Sequence, residues 1–136
     1  MNSAEIITIG DELLIGQTID TNSAWMGMQL SMKGIRVNRI TSISDSREEI
    51  IAALDESLRR VPLVLMTGGL GPTSDDITKE TLAEYFGTKL VMDQGVLEEV
   101  TARIKRRNLE MNENNRRQAM VPESCRVLAN HAGTAP

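Results

Sequence analysis

Leu63-Val64-Leu65-Met66 runs straight into Thr67-Gly68-Gly69-Leu70-Gly71-Pro72-Thr73-Ser74-Asp75-Asp76-Ile77-Thr78. An unbroken apolar run of this length suits a strand covered on both faces, as in a parallel sheet. Behind the glycine loop, Ile77–Phe86 carries helical spacing and Gly87 closes it. Strand, glycine loop, helix is one half of a parallel crossover, and the same unit recurs twice upstream. Glu5–Ile9 is nearly continuous and β-branched, and Ala24, Trp25, Met28 and Met32 follow at helical spacing, with Gly34 as the stop. Ile35–Ile43 reads as the second strand. Ser46 and Glu49 have capping-box spacing ahead of the Ile50, Ile51, Leu54 and Leu58 stripe. The βαβαβα order predicts a three-layer α/β/α sandwich with a mostly parallel sheet.

Downstream the pattern is less regular. Thr88–Met92 predicts a short strand, and Val96, Leu97, Val100 and Ile104 a helix closed by Lys105, Arg106 and Arg107. Asn114–Met120 suits a short helix and Arg126–Ala129 a short strand. The chain then reaches Gly133-Thr134-Ala135-Pro136 with no element behind it, which reads as the end of a fragment. Residues 1–136 read as one domain.

Composition excludes several classes of function. The net charge is −4, which disfavours nucleic acid as a direct partner, because that needs a basic surface to displace counterions. Trp25, Tyr85 and Phe86 are the whole aromatic complement, too few for a base-stacking platform. No apolar stretch is long enough to span a bilayer. The first residues lack the pattern of a signal peptide, and the single cysteine, Cys125, cannot form an internal disulfide, so a cytoplasmic setting is expected. The methionines read as core filler. His131, the only histidine, excludes a multi-histidine zinc site within one chain.

In an open parallel sheet, ligands bind beyond the carboxyl ends of the strands. Three loops should converge there: Gly10–Gly16 with Asp11 and Glu12, Ser42–Ser46 with Asp45, and Thr67–Thr78. Gly68, Gly69 and Gly71 let backbone N–H groups approach an anion, and the helix behind them offers unpaired donors. Neither a Walker loop nor a dinucleotide fingerprint is present, since no Gly-Lys-Ser/Thr follows and Ser74 stands where a third glycine belongs. The plainer reading is a turn in which Thr78 or Asp76 caps the helix. Asp75 and Asp76 beside an anion loop call for an offsetting cation, and Mg²⁺ accepts one or two carboxylates plus phosphate oxygens. Arg117 has the fork that suits a phosphate, against the alternative of a solvated helix face.

Four stretches together resemble the CinA family of competence/damage-inducible proteins. They are Ile9-Gly10-Asp11-Glu12-Leu13-Leu14-x-Gly16-x-x-x-Asp20-Thr21-Asn22; Thr67–Thr73 with Asp75–Thr81; Asn115-Arg116-Arg117-Gln118-Ala119; and Gly133-Thr134-Ala135-Pro136. The resemblance implies the molybdopterin-binding fold of molybdenum-cofactor biosynthesis proteins. It also implies hydrolysis of the pyrophosphate of ADP-ribose, aided by a divalent cation and K⁺, and a homo-oligomer, with a dimer as the first expectation. By motif position, Asp45 and Asp76 would be the functional aspartates; Glu12, on the same edge, is expected to join them in catalysis, and Asp75 and Asp76 to hold the metal. Gly68, Gly69, Gly71, Thr73, Ser74, Thr78, Asn22, Arg117, Gly133 and Thr134 would hold the ligand. Other readings are a pterin- or nucleotide-binding module without turnover, and an oligomerisation domain of a larger nicotinamide-nucleotide amidase. Two departures stand out: Ser74 where the family often has Lys, and His131 where it often has Pro.

Overall fold

The computed structural model describes residues 2–135. The boundary between two compact units falls between Gly69 and Leu70. The first unit contains β1 (Ser3–Ile9), α1 (Asp11–Leu14), α2 (Thr21–Met32), β2 (Arg36–Ile43), α3 (Arg47–Arg60) and β3 (Leu63–Thr67). Its sheet is fully parallel, in the order β2-β1-β3. The register pairs Ile6 with Ile40 on one side and Leu65 on the other, with a single irregularity at Ala4/Glu5 on the β2 side.

β1 is central because it can afford burial on both faces: Ala4, Ile6 and Ile7 are fully buried. Alternation sends Ala4 and Ile6 to α2, where they pack with Leu30, Met26, Val37 and Leu65. Glu5, one residue out of phase, points to α3, where Arg60 meets it. Helix, sheet, helix are the three layers expected. Ser46 caps α3 by accepting the Glu49 N–H at 3.5 Å. The capping box is altered, because the Glu49 carboxylate reaches back to the Ser44 N–H at 3.3 Å instead of that of Ser46.

The residues whose spacing predicted α2, Ala24, Trp25, Met28 and Met32, face outward. Ser23, Met26 and Leu30 are turned to the sheet, while Trp25, Met28 and Met32 are exposed. Met28 and Met32 are therefore not core filler, whereas Met26, Met92 and Met111 do pack in the core.

The second unit holds α4 (Thr78–Tyr85), β4 (Leu90–Met92), α5 (Gln94–Arg106), α6 (Glu113–Arg117) and β5 (Met120–Pro122). β4 and β5 pair antiparallel, Leu90 with Pro122 and Met92 with Met120. Val96, Val100 and Ile104 of α5 pack with Ala119, Met92, Met111 and Val127. Asp93 caps α5 by accepting the Val96 N–H at 2.9 Å. Arg126–Ala129 is not a strand. Its apolar character is explained by Val127 packing on the α5 cluster, not by a ladder partner.

Candidate functional site

The first unit brings three of the expected segments to one sheet edge. β1, β2 and β3 are parallel, so Gly10, Ser44 and Gly68 leave the sheet on the same side. The Gly10 N–H donates to the Ile43 carbonyl at 3.0 Å, tying the first two loops together. Beyond it the Asp11 N–H donates to Asp45 Oδ2 at 3.3 Å. The Glu12 carboxylate folds over Gly10, where a Cβ would stand 2.6 Å from Glu12 Oε1. Asp11, Glu12 and Asp45 thus share the edge predicted for them, and Gly68 and Gly69 lie at the end of β3 on that edge.

A crevice of about 140 Å³ opens there, lined by Thr8, Glu12, Thr18, Asp20, Asn22 and Gly68 among others. The lining is rich in hydroxyls and carboxylates, suited to a polar ligand group. Asp20 is the residue missed among the site residues, although it stands in a quoted motif. Its carboxylate accepts the Ser23 N–H at 3.0 Å and caps α2. Burial pushes the Asp20 carboxyl upward, but hydrogen bonds from Ser23 and Thr8 outweigh it and hold the pKa below the ordinary value. Thr8 in turn shares a 2.8 Å hydrogen bond with Ser42. Gly68 has a steric cause as well as any ligand role. Its φ is +104°, and a Cβ there would overlap the Ile9 carbonyl oxygen of β1.

In the second unit, the glycine turn is organised around Asp76. Asp76 Oδ2 accepts the Thr73 N–H at 3.0 Å and the Thr73 hydroxyl at 2.6 Å. A Cβ on Gly71 would come within 2.5 Å of the same oxygen, so glycine admits the carboxylate. Burial raises the Asp76 pKa, yet the Thr73 hydroxyl, the Gly71 and Thr73 N–H groups and the Lys79 charge outweigh it, leaving it lowered. Asp76 does not cap α4: Ile77 holds the cap position without a side-chain hydrogen bond. Ser74 and Asp75 are exposed, and Thr78 is buried in the first turn of α4.

Lys79, a second residue the sequence reading passed over, is buried and donates to the Arg117 and Gln118 carbonyls at 3.2 Å each. Burial is the main reason its pKa lies below the ordinary value. The Arg117 guanidinium pairs with Glu80 at 3.3 Å on the surface. Gly133 and Thr134 stand elsewhere in this unit. They line a cavity of about 180 Å³ against Val96, Val100 and Arg103 of α5, which no residue of the Gly71–Thr78 turn enters. Asn130 organises that segment by accepting the Ala132 and Gly133 N–H groups at 2.9 and 3.0 Å.

Among the described residues no group of three or more His, Cys, Asp or Glu side chains converges as a metal site. Asp75 and Asp76 are two carboxylates at most, and Asp76 Oδ2 is already engaged by Thr73, so a cation held by them would need ligand oxygens and water to complete its shell. No helix among the described residues is long and apolar enough to cross a membrane.

This fold and its acidic strand-end loops define a class. Residues 5–136 match the family described as "Probable molybdopterin binding domain". Within it, the chain belongs to the CinA-like proteins. It is 49% identical to the CinA-like protein of Cytophaga hutchinsonii over 133 residues, 98% of this chain and 32% of that protein. It is 48% identical to that of Gemmatimonas aurantiaca over 133 residues, 97% of this chain and 31% of that protein. The chain thus spans about a third of the length of the curated relatives it matches. The crystal structure of CinA from Thermoplasma acidophilum aligns over 99% of this chain and 79% of its own, with a TM-score of 0.88 and 36% identity. The tungsten cofactor synthesizing protein MoaB from Pyrococcus furiosus shares the fold, with a TM-score of 0.62 and 20% identity over 90% of this chain and 79% of its own.

Proposed function

We propose that this domain binds a nucleotide diphosphate of the ADP-ribose class and hydrolyses its pyrophosphate bond, in a cytoplasmic setting. The observation that carries the reading is the Asp45–Asp11 contact with Glu12 in the same turn, at the carboxyl ends of three parallel strands. Carboxylates at such an edge can take a proton from an attacking water. In the proposed step, water oxygen attacks one phosphorus and the bridging P–O bond breaks. Glu12 or Asp45 accepts the water proton, and the departing phosphate is protonated from solvent. Asn22 and the Gly68–Gly69 backbone hold the ligand in the crevice. In the second unit, Asp75 and Asp76 are the proposed cation ligands, with Gly71, Thr73, Ser74, Thr78 and Arg117 as phosphate donors. Asp75 and Asp76 would hold a divalent cation there, with K⁺ as a helper, and such an ion would supply charge neutralisation to phosphate oxygens bound at that turn. Gly133 and Thr134 keep a ligand role by family resemblance alone, since they line the α5 cavity apart from the Gly71–Thr78 turn.

One observation favours a second reading, a pterin- or nucleotide-binding module without turnover. The Thr73 N–H is already engaged by Asp76 of the same turn, so the loop carries its own anion. Incubation with ADP-ribose, Mg²⁺ and K⁺ separates the two. Appearance of AMP and ribose 5-phosphate supports hydrolysis. Saturable calorimetric binding of ADP-ribose or a pterin without products supports the module.

A further inference from the structure

Lys79 lies in the first turn of α4, where it is 9% exposed. Taking an ammonium out of water is costly, and an apolar side chain of similar length would fill the same space without that cost. Its Nζ donates to the Arg117 and Gln118 carbonyls at 3.2 Å each. Those carbonyls stand at the end of α6. The last main-chain oxygens of a helix have no partner within it, and the dipole there favours a cation.

α6 needs such an anchor. It is five residues long, none of them buried, and a helix that short does not hold itself. Asn112 secures its start by accepting the Asn115 N–H at 2.8 Å. Lys79 secures its end, and the residue it anchors is Arg117. Glu80, the next residue of α4, takes the side chain of the same arginine, with Arg117 Nη2 at 3.3 Å from Glu80 Oε1. Arg117 is thus held twice by one helical turn, at its carbonyl by Lys79 and at its guanidinium by Glu80. That turn follows directly on Gly71–Thr78, and the Lys79 charge interacts with both the Asp76 carboxylate and the Arg117 guanidinium. Residues 67–78 contain Asp75 and Asp76 but no basic residue, so a phosphate there needs a cation brought from elsewhere in the fold.

The two grips differ in kind. The Glu80 contact is a long one between side chains that are each nearly half exposed, so the guanidinium can leave it. A pair of phosphate oxygens suits the arginine fork better than one carboxylate oxygen at 3.3 Å. The Lys79 contacts are on the main chain, which stays in place when the side chain swings. We propose that Lys79 is the positioning residue for Arg117: it fixes the end of α6 on α4, so that the guanidinium can pass from Glu80 to the phosphate of a ligand at the Gly71–Thr78 turn. The proposal rests on the reading of that turn as a phosphate site, and not on turnover.

A double-mutant cycle on this chain tests it, with the calorimetric Kd as readout. The probe is α,β-methylene-ADP with Mg²⁺, a nucleotide diphosphate whose bridge is not hydrolysed. Arg117→Ala is expected to weaken binding by about tenfold or more, the scale of a lost charge-assisted contact. Lys79→Met is expected to weaken it by roughly two- to tenfold, the cost of ordering a long side chain at the moment of binding. In the Arg117→Ala background, Lys79→Met is expected to change the Kd no further. Lys79→Arg, which keeps the charge and the donors, is expected to recover most of the loss. A general loss of stability would weaken both backgrounds alike, so equal losses in the two overturn the proposal. So does a Lys79→Met chain that binds as tightly as the parent. If Arg117→Ala binds like the parent, the proposal falls and nucleotide binding stands. If the parent does not bind the probe, both fall. If the coupling is found but ADP-ribose yields no AMP, turnover falls and the positioning role stands. If Lys79→Met loses helical circular dichroism, the same cycle with Lys79→Gln, one bond shorter and uncharged, decides.

Discussion

Gly68→Ala should be among the most damaging small substitutions in the first unit, for reasons unrelated to any ligand. The residue sits at φ +104°, a conformation that costs an L side chain about 1–3 kcal/mol. The new Cβ would also overlap the Ile9 carbonyl oxygen and stand 2.8 Å from its carbon. That obstacle is backbone in the central strand, so relief requires β1 and β3 to part at their carboxyl ends. Overpacking of this kind costs about another 1–3 kcal/mol. A combined loss of about 2–6 kcal/mol is a large share of the roughly 5–15 kcal/mol that holds a domain folded. Urea unfolding followed by circular dichroism reads it as a midpoint drop of about 2 M, given a slope of about 1–3 kcal/mol per molar. Gly34→Ala is the control, because Gly34 has φ +73° with nothing within 4 Å of a Cβ. It carries the conformational cost without the collision. If Gly68→Ala shifts the midpoint no more than Gly34→Ala, the close approach of β3 to β1 is not what demands glycine there.

Three further substitutions test the charges. Asp76→Asn is expected to leave the fold intact but to lower ADP-ribose turnover at limiting Mg²⁺ by at least about tenfold, an amide being a poorer cation ligand; equal turnover removes Asp76 from the chemistry. Because the Asp76 pKa is lowered, its contribution to stability is present above the ordinary 3.8 and lost as pH falls through the folded value, so the variant should lose part of the parent's acid sensitivity in urea midpoints below pH 4. Lys79→Met should destabilise by about 1–2 kcal/mol, since it strips the Arg117 and Gln118 carbonyls of their donor while sparing the cost of burying a charge. The Lys79 pKa is depressed, so the unfolded chain holds the proton more tightly and parent stability should rise as pH climbs toward 10.5; midpoints of the variant measured from pH 7 to 10 should lack that rise. Arg60→Met should destabilise at neutral pH by stranding the buried Glu5 carboxylate, and the difference from the parent should narrow as pH drops below 4.5, where a protonated Glu5 no longer needs the guanidinium; a pH-independent difference would refute the pair's role.

The positions of the strands in the first unit were readable because each is decided locally, although β3, read as covered on both faces, is an edge strand in which Leu63 is exposed and no residue is fully buried. Ile6, Ile7 and Ile9 are β-branched and adjacent, Leu63–Met66 is an unbroken apolar run, and Gly34, Gly68 and Gly87 mark turns that positive φ requires. The acidic edge followed from topology alone, since parallel strands deliver Asp11, Glu12 and Asp45 to one side. What stayed hidden depends on distant partners. Glu5 looks like a surface residue until Arg60, 55 positions later, arrives over it. Lys79 looks like a solvated helix residue until the end of α6 offers it two carbonyls. Asp76 was expected to face a cation or cap a helix, and its use of the Thr73 donors is a matter of local geometry that spacing does not encode.

The misreading of α2 has a different origin and a wider consequence. Periodicity measures whether apolar residues share a face, and Trp25, Met28 and Met32 do. It does not say which face meets the sheet. Here a second, weaker stripe of Ser23, Met26 and Leu30 won that place. The reason lies in size: the small Ser23 and the adaptable Met26 let the helix approach the Ala4–Ile6 side of β1. A tryptophan in the same position would hold the helix away from a strand already flanked on both edges. The bulky stripe was thus displaced outward by the close packing of the inner one. An amphipathic helix with apolar residues on both sides keeps one stripe in the fold and leaves the other exposed, here Trp25, Met28 and Met32.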